Sequence, residues 1–147
     1  MNKLSLFLNK YKFIYYLLNF TWGLLLTIIG LLISLCCIII GKKPHTYNGM
    51  IQFRMGKDWG GFSIGIVQVV CEDYTDSLAY HELGHSYQNA IFGIFMPFLV
   101  SIPSMIRYWY RELKYYRKGL QPKTKYDDIW FEGQATMIGK TIVERKK

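Results

Sequence analysis

Two histidines and a glutamate, set at fixed helical spacing, are the residues of this chain with the clearest chemical content. In His81-Glu82-Leu83-Gly84-His85 the imidazoles stand at i and i+4. On a helix those positions share a face, so both rings reach one cation while Glu82, one step round, addresses a water bound to it. Three protein ligands and one water define a catalytic zinc site, whereas a structural site is closed by four protein ligands. The corresponding chemistry is hydrolysis: zinc lowers the pKa of its water towards about 7, and Glu82 takes the proton and later hands it to the leaving group. Two of the three histidines of the chain fall in this segment.

The third ligand has to come from downstream. Glu132, in Trp130-Phe131-Glu132-Gly133-Gln134-Ala135, sits among largely apolar neighbours, where a carboxylate is costly unless a cation meets it. Asp127 and Asp128 compete for the role, Asp128 lying at i−4 from Glu132; their place beside a polar loop also suits a helix N-cap or first turn. Glu132 is the preferred ligand. His45 reads as a solvated histidine rather than a ligand. Tyr87, Tyr126 and Arg107 are all candidates to stabilise an oxyanion, and the sequence does not choose among them.

These residues need elements to position them. A helix over about 78–92 carries the two histidines, with Asp76 or Ser77 as its N-cap. The segment Phe62 to Cys71, FSIGIVQVVC, is β-branched between turn signals and reads as one strand, an extended edge that can pair with a peptide or simply be half-buried. Residues 107–119 read as a basic, aromatic helix, 121–125 as a loop and 126–144 as the last helix. Residues 41–61 read as a connector, with turns at Gly56 and Gly60-Gly61.

From Phe13 to Ile40 the chain has 28 consecutive uncharged residues, and about 20 apolar residues cross a bilayer core. The expectation is a transmembrane helix, uncleaved because the run is far longer than a signal-peptide core and has no small-residue cleavage site. Residues 91–106 are again apolar, but Pro97 and Pro103 interrupt a straight helix, leaving a re-entrant or interfacial segment and a second crossing both open. The reading is thus an anchor over 1–41 and a metal-binding domain over 42–147, with 91–106 membrane-associated.

Composition agrees with this. The 147 residues hold one domain of ordinary size, with 51% hydrophobic and 17% aromatic residues. The formal charge of +8 is uneven: 107–125 carries seven basic residues against one Glu, interleaved with Tyr108, Trp109, Tyr110, Tyr115 and Tyr116. Rings and cations together suit an anionic bilayer interface better than nucleic acid, which is not an expected partner. The three cysteines make neither a disulfide framework nor a Cys-type zinc site.

The set of residues resembles the zincin metallopeptidases, and among them the gluzincins, in which HExxH on one helix is joined by a Glu from a later one. His81, Glu82 and His85 carry the resemblance, and Glu132 extends it. The chain is also similar to a set of small bacterial membrane proteins with a glycine-rich strand (Gly60-Gly61-Phe62-Ser63-Ile64-Gly65), an HE-x-GH-x-x-Q helix (His81 to Gln88), an apolar segment ending Pro103-Ser104 and a final helix running from Trp130 through Glu132 and Ala135 to Gly139. It covers roughly 60–139. It implies a zinc-dependent endopeptidase, integral to a bacterial inner or cytoplasmic membrane, acting on peptides or proteins near the bilayer. Gluzincins commonly place an Asp four residues after the ligand Glu to orient a zinc-bound histidine; here Thr136 stands there, able to accept the imidazole N–H but bringing no charge. Site-2 intramembrane proteases share HExxH within the membrane, but Glu72, Asp73 and Asp76 just before the motif favour a site at the surface. The expected fold is mainly α with a short β element: an N-terminal transmembrane helix plus a minimal zincin-like helical domain. The alternative function is a non-catalytic membrane protein using the same framework as a structural or partner-binding module; a non-peptide amide or ester substrate is a third reading.

Overall fold

The computed structural model describes residues 2–145. It is mainly helical with a small mixed sheet. Its helices are α1 (Asn2–Lys10), α2 (Lys12–Phe20), α3 (Leu24–Ile39), α4 (Asp76–Phe92), α5 (Ile102–Lys114) and α6 (Trp130–Glu144), and its strands β1 (His45–Tyr47), β2 (Met50–Arg54), β3 (Gly61–Ile64) and β4 (Val67–Val70).

The expected single apolar helix over Phe13–Ile40 is two helices, α2 and α3, bent by 92°. Polar side chains gather at the break. Asn19 and Thr21 donate to the carbonyls of Tyr15 and Leu17, and Gly23 precedes α3. From α4, the Asn89 amide then donates to Asn19 Oδ1 at 2.7 Å and to the Gly23 carbonyl at 3.2 Å. No single helix among the described residues is long and apolar enough to cross a membrane; α2 with α3, and α4 with α5, pass by length and composition only as bent pairs. In the second pair the bend is 118°, across the 91–106 segment, where a 3-10 turn (Gly93–Phe95) and a π-type turn (Pro97–Ser101) replace regular helix. Pro97 begins that turn and Pro103 falls in the first turn of α5, positions where a missing N–H costs least.

α3 is built inside out. Its packed side is the small and polar series Thr27, Gly30, Ser34 and Cys37, while Leu25, Ile28, Leu32, Leu35 and Ile39 are exposed. The small series lets α3 lie directly on the sheet: a Cβ at Gly30 would stand 2.3 Å from the Ile64 carbonyl oxygen.

Residues 41–61 hold more structure than a connector. Asn48 and Gly49 both adopt positive φ, 50° and 92°, and turn β1 into β2, the geometry that Asn-Gly favours in two-residue hairpins. The expected strand 62–71 is likewise a hairpin, β3 and β4, turning at Gly65 with φ 60°. The sheet runs β1-β2-β4-β3, with β2 and β4 parallel and the other pairs antiparallel, so β3 is an edge strand. One face of the sheet meets α3, and the other, through Ser63, meets α4.

α4 begins at Asp76, and its cap is Thr75, whose hydroxyl accepts from the Leu78 amide. α5 stops at Lys114, short of the expected 119, and a 3-10 turn (Tyr126–Asp128) precedes α6. The core between sheet, α4 and α6 contains Phe53, Val69, Leu83, Tyr87, Ile138 and Ile142. α4 and α6 pack backbone to backbone through glycine: a Cβ at Gly139 would fall 1.7 Å from the Tyr80 carbonyl oxygen, and one at Gly84 would fall 1.9 Å from that of Ala135. Rigid carbonyls cannot yield as a side chain can. Gly139→Ala therefore has to push the helices apart, and we expect it to destabilise the protein by about 3 kcal/mol or more, read as a lowered unfolding midpoint in detergent; an unchanged midpoint counts against this packing.

Candidate metal centre

α4 turns the imidazoles of His81 and His85 to one side, and the first turn of α6 brings Glu132 to meet them. Each pair among His81 Nε2, His85 Nε2 and Glu132 Oε2 is separated by 3.1 Å. The side chains are 14%, 10% and 0% exposed, respectively. Ligand atoms of a tetrahedral zinc ion, each about 2.0–2.1 Å from it, stand roughly 3.3 Å apart, so the triangle is of the right size.

Hydrogen bonds behind the triangle point its lone pairs inward. Gln88 Nε2 donates to the Phe131 carbonyl at 2.8 Å and to Gln134 Oε1 at 3.0 Å, which turns its amide oxygen to His85 Nδ1 at 2.7 Å. An amide oxygen only accepts, so His85 carries its proton on Nδ1 and offers the Nε2 lone pair to the triangle. His81 Nδ1 lies 2.7 Å from Thr136 Oγ1, which can accept the corresponding proton. With both protons so placed, two imidazole lone pairs and a carboxylate oxygen converge with no hydrogen between them. Such a set repels itself and fits a cation. The other carboxylate oxygen, Glu132 Oε1, is buried and makes no hydrogen bond of regular geometry, with the Ser104 and Tyr126 hydroxyls beside the carboxyl group. His81, His85 and Glu132 form the one group of this kind found among the described residues.

Glu82 is buried and accepts from the Ser63 hydroxyl of β3 at 2.7 Å, so the edge strand holds the proposed base. A cleft of about 930 Å³ opens above these residues, between Trp59 to Ile64 on one side and Met105, Tyr108 and Trp109 of α5 on the other. Tyr126 also lines it, its ring 6.2 Å from that of His81. Burial, then the charge of Glu132, pushes the Tyr126 hydroxyl up to about 12, so it remains a proton donor at neutral pH.

The other candidates lie elsewhere. Tyr87 is corrected: two residues on from His85, it points to the opposite side of α4, fully buried, accepting from Lys12 Nζ at 2.6 Å and donating to Asn9 at 3.1 Å. Arg107 donates to the carbonyls of Lys125 and Tyr126 and so braces the loop that presents Tyr126. Asp128 accepts from the Lys125 amide as a cap; Asp127 is exposed at the cleft, and His45 is exposed on β1. The residues that sequence reasoning did not assign are Ser63 and Gln88. Gln88 had a signal, its i+3 position after His85; Ser63 had none, because only the packing of β3 on α4 brings it to Glu82.

In the metal-free protein, protons on the imidazole Nε2 atoms stand in for the cation: burial alone raises the Glu132 carboxyl, but hydrogen bonds from His81 and His85 then outweigh it and hold the group well below the usual carboxylate range. A folded value below the unfolded one gives stability that is fully present above about pH 4.3 and is lost as pH falls through the folded value. In metal-free protein, Glu132→Gln should therefore flatten the acid-side fall of the unfolding midpoint below about pH 4.3, and superimposable profiles for the two proteins would refute the coupling.

Compared with protein-family models, curated proteins and solved structures, the chain matches none.

Proposed function

We propose that the protein is a membrane-bound zinc metallopeptidase, in which His81, His85 and Glu132 hold the ion and Glu82 is the general base. The observation that carries this reading is the convergence of three electron-pair donors at 3.1 Å, with the His85 tautomer set by Gln88. Two nitrogens and one oxygen are a donor set that zinc takes in catalytic sites, where a fourth position stays open. Zinc held there supplies a Lewis acid and an acidified water. Glu82 accepts the proton of the attacking water and returns it to the leaving amine, with Ser63 fixing its carboxylate. Tyr126 donates to the oxyanion. The unpaired side of β3, along one wall of the cleft, offers backbone groups to an extended peptide.

Membrane attachment is supported by α3, which exposes large aliphatic side chains and buries small and polar ones, the arrangement expected when lipid rather than water is outside. Ile102, Met105, Ile106, Trp109 and Leu113 extend the exposed apolar surface along α5 beside its basic residues. One observation favours a second reading, a non-catalytic metal-binding module: both histidines are oriented by neutral partners, Thr136 and Gln88, where a carboxylate would add ligand basicity.

Purified full-length protein in detergent separates the two. Zinc bound one to one should be lost in His81→Ala and Glu132→Ala, whereas Glu82→Gln should keep zinc and lose peptide cleavage by about 100-fold or more. Zinc retained in both ligand variants sinks the site, and zinc without turnover on a broad peptide library selects the module. Thr136→Val should weaken zinc binding about tenfold by releasing the His81 ring, measured by competition with a chelating dye; unaltered affinity would mean that Thr136 does not orient the ring.

A further inference from the structure

The chain has 18 Lys and Arg residues and a formal charge of +8, yet none of the basic side chains among the described residues lines the cleft. The charged side chains that do line it, apart from the two histidines, are Glu82 and Asp127. The rest of its lining is uncharged, hydroxyls such as those of Ser77, Ser101 and Ser104 lying among large apolar and aromatic side chains. Trp59 and Phe62 stand on the strand side, Tyr108 and Trp109 on the α5 side, each at least one-third exposed, and Met96 and Val100 are buried behind them. The basic residues of α5 are turned to other work: Arg107 and Arg111 grip the carbonyls of Thr124, Lys125 and Tyr126, and Lys114 pairs with Tyr110.

Charge decides what can enter. A phosphate, a phospholipid headgroup or an acidic side chain would lose its hydration against Glu82 and Asp127 with no cation other than the metal to meet it. A chain ending at the site would likewise find no basic group to receive its terminal carboxylate. An uncharged stretch within a polypeptide loses nothing of the kind, gains from burying bulky side chains between the two aromatic walls, and can pair with the free side of β3.

We infer that the cleft binds the interior of an extended polypeptide with bulky apolar and no acidic side chains, which Trp59 and Phe62 on one wall and Tyr108 and Trp109 on the other select. The inference rests on the metallopeptidase reading and narrows it: carboxypeptidase, phosphodiesterase and phospholipase activities are excluded at this site.

The test is binding, measured by fluorescence anisotropy on the full-length Glu82→Gln protein in neutral detergent, both zinc-loaded and metal-free. The probes are labelled, end-blocked peptides of equal length whose central residues are Leu and Phe or, in a second peptide, Asp and Glu, with short-chain phosphatidylglycerol as competitor. The apolar peptide should bind at least about tenfold more tightly than the acidic one, in both metal states. Phe62→Glu and Trp109→Glu, both at exposed positions, should weaken it by about tenfold or more while zinc content and unfolding midpoint stay unchanged. Equal binding of the two peptides, effective competition by the phospholipid, or unaltered affinity in both variants overturns the inference. Failure of the enzymatic reading is separate: zinc or turnover is absent while the apolar preference persists in the metal-free protein.

Discussion

The approach of α4 to α6 is the contact on which the candidate site depends. His81 and His85 ride on one helix and Glu132 on the other, and a triangle with 3.1 Å edges tolerates little change in helix separation. Glycines set that separation. Gly84 faces the Ala135 backbone and Gly139 faces that of Tyr80, so the helices meet through main chain and carry their ligands at a distance no larger residue would allow. Hydrogen bonds crossing the same contact, Gln88 to the Phe131 carbonyl and His81 to Thr136, then orient both rings. Backbone contact and ring orientation are thus one device, and a loss at either loosens the site.

A second constraint is the bend in the apolar N-terminal run. Asn89 lies four residues after His85 on α4, and its amide is tied to Asn19 and Gly23 at the break between α2 and α3. The helix that carries the histidines is therefore clamped from the N-terminal side, while α3 leans on the opposite face of the sheet whose edge strand holds Glu82 through Ser63. The apolar segments help to build the site; they are not merely an attachment for it. This also accounts for the inverted side-chain distribution of α3: the small residues are needed where it touches β3 and β4, which leaves the large ones outside.

The motif and its later carboxylate were legible because each is a chemical necessity written in residue type. Two imidazoles one helical turn apart are recognisable at any depth of burial, and Glu132 stood out as an acid among apolar neighbours. Thr136 was marked only by the resemblance, as the residue four after Glu132 where gluzincins carry an Asp. Tyr87 was misread because proximity to His85 in the chain says nothing of direction: two residues on a helix amount to about half a turn, which carries it to the far side. The strands were misjudged for a related reason. Asn48-Gly49 and Gly65 were present as turn signals, but a hairpin of very short strands has no periodicity long enough to separate it from a loop or from one continuous strand.

What the sequence determined by itself is the chemistry available and the helix that carries it: HELGH spacing, a buried-type Glu132, a basic and aromatic α5, and two apolar runs, the second interrupted by Pro97 and Pro103. What only the tertiary structure decided is which of these groups meet. The triangle, the Gln88 and Ser63 contacts, the exclusion of basic side chains from the cleft and the folding of one long apolar run into two helices all depend on separations between elements. Those separations are set by backbone contacts at Gly30, Gly84 and Gly139, where the informative property is an absent side chain, and absence carries no chemical signature until the neighbouring element is in place.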